Sequence, residues 1–273
     1  MAFIRQEQGG VLYHTSSLLA ETEQVVHGFT TRVGGVSEGI FSSLNLRCHS
    51  APPDDPKRVA ENYRRLCGAL SLDPEGLVLS RQVHEDTVYP VTAQDSGKGF
   101  SRPRDYTADA LITNQPNLHL MVFSADCGIF LLHDPVSRCI GAVHAGWRGT
   151  ALDLPAKAVR EMGRLYGAKP ESIRVAVGAS IGECCFETHD DVPNAMLAAF
   201  GQEVLEFCVR TGEKWAVDLR GINIGRLRRA GVQSIDTLPL CTGCHPELYW
   251  SHRKLGNARG VQGAVISLRG DCP

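Results

Sequence analysis

Short apolar runs recur along the chain, each stopped by small or polar residues. Segments 77–79, 88–91, 118–123, 129–132, 139–143 and 173–177 are of strand length and mostly apolar, the pattern of buried strands. Helical spacing separates some of them. Val59, Tyr63, Leu66 and Leu70 fall at i, i+4, i+7 and i+11. This predicts an amphipathic helix that follows the loop Ala51-Pro52-Pro53-Asp54-Asp55-Pro56. Leu152, Ala156, Val159, Met162 and Tyr166 mark a second apolar face, with Gly167 as its stop. Another helix is predicted over 191–209. A last one follows Asp218 as N-cap, buries Leu219, Ile222 and Leu227, and ends before Gly231. Segment 95–106, rich in Gly, Ser and Arg, reads as an exposed loop. Strands and helices mix without strict βαβ alternation, which favours a mixed-sheet α/β or α+β fold over a Rossmann fold. No G-x-G-x-x-G follows a strand, so a dinucleotide site lacks its sequence evidence.

Composition narrows the class. A chain of 273 residues makes one large domain or two small ones. It buries roughly three-quarters of its unfolded surface, so it needs neither disulfides nor metal merely to fold. With 28 basic against 30 acidic residues the net charge is -2. No basic block stands out, so no nucleic-acid partner is expected. No apolar run approaches the roughly 20 residues of a membrane span, so no membrane partner is expected. The start, Met1-Ala2-Phe3-Ile4-Arg5-Gln6-Glu7-Gln8, lacks a signal peptide's apolar core and cleavage site. The expectation is a cytoplasmic protein with reduced thiols. The ten cysteines lack the dense pattern of a disulfide scaffold. Cys48, Cys67, Cys139, Cys184, Cys185 and Cys208 then read mostly as small apolar residues.

Three apolar runs end in turns that carry chemistry. Ser124-Ala125-Asp126-Cys127-Gly128 presents a thiol. Val143-His144-Ala145-Gly146-Trp147-Arg148-Gly149 and Gln82-Val83-His84 each present an imidazole. His84, Cys127 and His144 are spaced by 43 and 17 residues, unlike the tight ligand pairs of zinc fingers. Two chemistries remain open from these residues. One is a three-ligand metal site, suited to zinc, whose free position lowers the pKa of bound water to about 7. The other is a catalytic pair with Cys127 as nucleophile and His144 as base. Asp126 fits a partner of either site, a general base, or a residue that bonds the turn's own amides.

Other segments carry weaker signals. The turn 146–150 runs into a helix and offers amide groups and Arg148 to an anion. The plainer alternative has its glycines shaping the turn, Thr150 capping the helix and Arg148 pairing with a carboxylate. Cys241-Thr242-Gly243-Cys244-His245 matches a haem-attachment pattern, which the missing signal peptide argues against. It also matches a zinc half-site, for which the local sequence supplies no second ligand pair. Ser180-Ile181-Gly182-Glu183-Cys184-Cys185-Phe186-Glu187 reads as a loop with partly buried thiols.

Several motifs occur in order: Gly28-Phe29-Thr30-Thr31-Arg32-Val33-Gly34-Gly35-Val36-Ser37, Ser43-Leu44-Asn45-Leu46, Gln82-Val83-His84, Ala108-Asp109-Ala110, Ala125-Asp126-Cys127 and the V-H-A-G-W-R-G run. Ser180-Ile181-Gly182, Cys241-Thr242-Gly243-Cys244 and Ser251-His252-Arg253 follow them. Over nearly the whole chain this resembles the YfiH family, also called laccase-domain proteins or peptidoglycan editing factors. The resemblance implies one domain over 1–273. Its fold is α/β, a mixed-sheet layered sandwich resembling cysteine hydrolases. It also implies that His84, Cys127 and His144 bind zinc, with copper as the alternative metal. The implied reactions are phosphorolysis of adenosine, inosine and methylthioadenosine, and adenosine deamination. Gly128-Ile129 and Arg47-Cys48-His49 depart from the commoner family pattern and put substrate choice in doubt.

The leading reading is therefore a zinc-dependent purine nucleoside enzyme whose partners are a nucleoside and phosphate. His84, Cys127 and His144 are its metal ligands and catalytic residues. Asn45, Arg47, Arg148 and Arg253 are the candidate substrate contacts, with Arg148 on the phosphate. A cysteine hydrolase or amidase editing peptidoglycan precursors is the first alternative. A copper-dependent polyphenol oxidase ranks lower, because such sites use more histidines in paired clusters. A partner-binding protein with a closed structural metal is the non-enzymatic alternative.

Overall fold

A computed structural model describes residues 2–47 and 52–270. Cys48 and Ala51, both placed by the sequence reading, lie outside the described residues. In chain order the strands are β1 (Phe3–Gln8), β2 (Val11–Ser16), β3 (Val25–Thr30), β4 (Leu77–Leu79), β5 (Val88–Pro90), β6 (Ala110–Thr113), β7 (His119–Ser124) and β8 (Gly128–Asp134). They continue with β9 (Cys139–Ala145), β10 (Arg174–Val177), β11 (Glu187–Thr188), β12 (Cys208–Thr211), β13 (Lys214–Val217), β14 (Ser234–Thr237) and β15 (Gln262–Leu268). The helices are α1 (Ser17–Ala20), α2 (Pro56–Leu70), α3 (Trp147–Ala151), α4 (Leu154–Tyr166), α5 (Asp191–Phe200), α6 (Leu219–Arg229) and α7 (His252–Leu255).

Two six-stranded sheets form the body, ordered β1-β2-β3-β15-β7-β4 and β14-β10-β8-β9-β6-β5. Both are mixed: β4 runs parallel to β7 and β5 parallel to β6, while β8 and β9 are antiparallel. Strand alternation explains how they stack. On β7, Leu120 and Val122 join Ile129 and Leu131 of β8 and Ile140 and Ala142 of β9 in one core between the sheets. The opposite face of β9, through Cys139 and Val143, packs on Leu154, Ala158, Val159 and Met162 of α4. The outer face of the first sheet, through Met121 and Val265, packs on Val59, Tyr63, Leu66 and Leu70 of α2. The result is a helix–sheet–sheet–helix sandwich, the layered mixed-sheet α/β class that the sequence predicts.

The sequence-predicted helices hold with shifted bounds. Asp55 caps α2 by accepting from the Lys57 amide, and Asp218 caps α6 by accepting from Gly221. The helix expected over 191–209 stops at Phe200, because Gly201 adopts φ +80°. A short 3-10 turn and β12 follow. The helix expected from Leu152 divides in two: Gly146 caps α3, and Asp153 adopts a left-handed conformation between α3 and α4. Thr150 is not the cap; its hydroxyl accepts a 2.8 Å hydrogen bond from buried Asn223.

Strands β1, β2, β3, β6, β11, β12, β13, β14 and β15 escaped the sequence reading. β1 has no buried position. In β2, β3 and β15 the buried positions include His14, Ser16, His27, Thr30, Gln262 and Ser267, which obscure the apolar run. These polar groups are satisfied internally. The Ser16 amide donates to His27 Nε2 at 2.8 Å, and the Ser16 hydroxyl to Asp236 at 2.7 Å.

One buried amide ties the glycine-rich N-terminal motif to α2. Asn62 accepts from the Val36 amide at 2.8 Å and donates to the Ser37 hydroxyl and the Ser43 and Asn45 carbonyls. Gly35 sits so close that a Cβ there would lie 2.1 Å from the Ser43 carbonyl oxygen. Replacing Asn62 by Ala strands several buried groups, each costing about 1–3 kcal/mol. Urea unfolding should show Asn62→Ala destabilised by roughly 3 kcal/mol. A loss under about 0.5 kcal/mol, the level of an ordinary surface change, would disprove the clamp.

Candidate metal centre

The two central strands of the second sheet deliver two of the three sequence-predicted groups. Gly128 pairs with Ala145 and Ile129 with His144. His144 thus lies one residue before the end of β9, on the inter-sheet face, and Cys127 lies just before β8. A Cβ on Gly146 would lie 2.9 Å from Cys127 Sγ and 3.2 Å from the His84 ring. Glycine there leaves the thiol and imidazole their space. His84 arrives on the loop between β4 and β5 with φ +62°, a left-handed conformation that costs free energy in a non-glycine residue.

Asp109, fully buried ahead of β6, holds that loop. Its carboxylate accepts from the amides of Val83, His84 and Glu85 at 3.0–3.1 Å. The same carboxylate bonds His144 Nδ1 at 2.8 Å. Nδ1 is then the protonated nitrogen, and Nε2 is free to bind a metal. Nearby, Asp126 adopts φ +101°. Its side chain accepts from the Thr242 hydroxyl at 2.6 Å and the Arg253 amide at 2.7 Å. These contacts tie the turn to the last third of the chain, not to its own amides as the sequence allowed.

His84, Cys127 and His144 bring their donor atoms within 4.8 Å of one another. Cys127 Sγ lies 3.9 Å from His84 Nε2, and the two imidazoles meet edge to face at 4.9 Å. Donors of a tetrahedral zinc site lie about 3.3–3.8 Å apart, and the 3.9 Å sulfur–nitrogen pair lies just beyond that, so one thiolate and two imidazoles would draw in slightly to hold such an ion. Electrostatics agree with the donor set. Burial pushes the Cys127 thiol up, but His144 and His84 more than reverse this, to about 6. Burial pulls His144 down, but Cys127 and Asp109 raise it to about 9. Burial likewise raises Asp109, yet its bonds to His144 and the loop amides hold it below the ordinary carboxylate value.

The triad opens into a cavity of ≈ 730 Å³, within the usual range for small-molecule sites. Tyr63, Phe123, Leu79 and Val261 supply apolar walls, and Arg47, Arg81, Arg104 and Arg259 also line it. Among the described residues no carboxylate does. Arg259 is half-buried, burial lowers its affinity for the proton, and its Nε has no partner.

The candidate substrate contacts separate in space. Arg47 lines the cavity. Asn45 is buried in its support, bonding Asp54, the Arg47 carbonyl and the Val261 amide. Arg148 and Arg253 are outside the lining. The Arg148 guanidinium stacks on Trp147 at 4.2 Å, and that of Arg253 donates to the Glu187 carbonyl. Helix α3 behind the expected anion turn has only five residues, too few dipoles for a strong anion site. Sequence reasoning missed Asp109 as the organiser and Arg259 as the inward cation. Asp109 carried one signal, a lone acid between alanines ahead of an apolar run. Arg259 carried none.

Residues 26–269 match the family described as multi-copper polyphenol oxidoreductase laccase. The chain is 40% identical over 253 residues to a Deinococcus radiodurans protein named purine nucleoside phosphorylase, covering 92% of each. It is 31% identical over 255 residues to Bacillus subtilis purine nucleoside phosphorylase YlmD, covering 91% of this chain and 89% of that one. A mouse protein named purine nucleoside phosphorylase LACC1 is 34% identical over 96% of this chain, which spans only 59% of the mouse protein's length. The crystal structure of Bacillus licheniformis hypothetical protein YfiH superposes with a TM-score of 0.90 at 32% identity, covering 98% of this chain and 99% of that one.

Two measurements test the centre. Alkylation of Cys127 by iodoacetamide in metal-free protein should be half-maximal near pH 6, not near the ordinary thiol value of about 8.5. The sign follows from the thiolate being the nucleophile: the rate falls as pH drops through that midpoint and is flat above it. His144→Ala should move the midpoint up, and an unmoved midpoint would remove His144 as the cause. Asp109→Asn should weaken zinc binding about 10–100-fold in a chelator competition.

Proposed function

We propose that this chain, which belongs to the YfiH or laccase-domain family, is a metal-dependent purine nucleoside phosphorylase. The observation that carries the reading is the cavity itself. A thiolate–imidazole donor set shares one chamber with four arginines and, among the described residues, no carboxylate. Such a lining selects a polyanion beside a Lewis-acid position. The relatives named purine nucleoside phosphorylases supply the reaction class. Packing of both sheets on one core supports reading 1–273 as a single domain.

His84, Cys127 and His144 are the residues that would hold the ion, with zinc favoured by the donor set and copper the alternative. When bound, the ion supplies Lewis acidity toward an electron-rich atom of the substrate. The rest is the work of the chain. Arg259 and Arg47 neutralise phosphate and hold it for attack, and Tyr63 and Phe123 offer apolar surface to the nucleoside. A phosphate oxygen attacks C1′ of the ribose. The C1′–N9 bond breaks, its electron pair leaves with the purine, and the base takes up a proton at a ring nitrogen. Adenosine, inosine and methylthioadenosine share this bond. Deamination of adenosine, in which water adds at C6 and ammonia leaves, belongs to the same proposal and needs no phosphate.

A second reading rests on the thiolate–imidazolium pair of the metal-free pocket, which is equipped for nucleophilic attack on an amide. Chelation separates the two, because it removes a metal-dependent activity but exposes Cys127. Zinc-loaded protein should release ribose 1-phosphate from adenosine or inosine only when phosphate is present, and chelation should abolish it. No nucleoside turnover in metal-replete protein would end the phosphorylase reading. Arg259→Met should raise the KM for phosphate about 10-fold or more, the loss of one charge-assisted contact. Arg148→Met should leave that KM unchanged, and the reverse result would return the phosphate to the 146–149 turn.

A further inference from the structure

A second group of thiols lies outside the cavity. Cys184 and Cys185 sit in the loop after β10, and Cys241 and Cys244 in the segment between β14 and α7. All four are free thiols, and their sulfurs lie within 4.8 Å of one another. Cys244 Sγ is 3.6 Å from both Cys184 Sγ and Cys185 Sγ. These separations exceed the roughly 2.05 Å of a disulfide. The two 3.6 Å separations lie close to the sulfur–sulfur spacing of about 3.8 Å set by four zinc–sulfur bonds of about 2.3 Å in a tetrahedron.

The backbone is shaped for this cluster. The Cys244 and His245 amides both donate to the Cys241 carbonyl, closing the C-x-x-C turn. The Cys185 and Phe186 amides do the same to Gly182. The Gly182 amide donates to Cys241 Sγ at 3.2 Å, a contact that favours a thiolate. Cβ atoms would lie 3.3 Å from Cys184 Sγ on Gly182 and 3.1 Å from Cys185 Sγ on Gly243. Both glycines leave space for sulfur.

We propose that Cys184, Cys185, Cys241 and Cys244 form a second, structural zinc site. The half-site legible at Cys241 and Cys244 gains its missing ligand pair from a loop about sixty positions earlier. Four sulfur donors leave no open position, which makes the site a clamp rather than a reaction centre. What it clamps is specific. The two loops are stitched by the Ser180–Cys241 bridge and by the Thr242 amide on the Ser180 carbonyl. Both then reach Asp126: the Ile181 amide donates to its carbonyl, and the Thr242 hydroxyl to its carboxylate. Asp126 precedes Cys127, so the second ion stabilises the backbone that presents a ligand of the first. The inference stands independently of the nucleoside reading.

Native mass spectrometry of the whole reduced protein, titrated with zinc alone, reads the site directly. Two zinc ions per chain are expected. Cys184→Ser and Cys244→Ser should each bind one, and His84→Ala with Cys127→Ala should also retain one. Cobalt substitution in that double variant should give intense thiolate-to-metal charge-transfer absorption, lost when Cys244→Ser is added. A single zinc in wild type with none in the double variant would overturn the proposal. So would a double variant whose one zinc survives Cys244→Ser. Should the serine variants fail to fold, the wild-type count and the cobalt spectrum of the double variant still decide.

Discussion

One buried carboxylate organises the candidate centre. Asp109 is removed from water among apolar neighbours, a placement that is costly for a charge unless its oxygens are bonded. Three consecutive amides of the 83–85 loop and the His144 imidazole fill them. The compensation is also the architecture. The same two oxygens hold His84 in a left-handed backbone and select the tautomer of His144. Two of the three metal-binding candidates are thereby positioned by one group just ahead of β6.

Asp126 repeats the arrangement for the third. Its backbone lies at φ +101°, and its carboxylate is bonded by Thr242 and Arg253 from the last third of the chain. Strain of this kind persists only where surrounding contacts over-determine it. Strands β8 and β9, which present Cys127 and carry His144, are paired in register, whereas the loops closing over them are held by polar contacts. The four-thiol cluster lies where two of those loops meet. A metal there would hold the loops without entering the chemistry.

The electrostatic contrast between cavity and surface follows from which residues turn inward. The chain is nearly neutral overall, yet the chamber beside the triad is lined by arginines of separate segments. Arg148, beside the histidine in sequence, stacks on its neighbour Trp147 instead. Arg259, remote in sequence, comes to the cavity because β15 inserts between β3 and β7 and its leading loop crosses the pocket. Proximity along the chain does not bring Arg148 to the cavity, whereas sheet order brings Arg259 there.

Much of the fold was legible because periodicity reports burial. The stripe from Val59 to Leu70, the cap at Asp218, and the apolar runs that became β4, β7, β8, β9 and β10 all follow from local pattern. Strands β2, β3 and β15 did not, because their buried serines, histidines and glutamine are satisfied by partners distant in sequence. The same division applies to the site. Residue types and turn residues marked His84, Cys127 and His144 as candidate chemistry, and family resemblance joined them. Their convergence, the role of Asp109, the inward face of Arg259 and the pairing of Cys184-Cys185 with Cys241 and Cys244 were decided only by tertiary structure. The physical reason is that hydrophobic period and capping are properties of neighbours along the chain. A ligand set, a buried charge and its bonding partners are properties of separate segments brought together when the two sheets close on a common core.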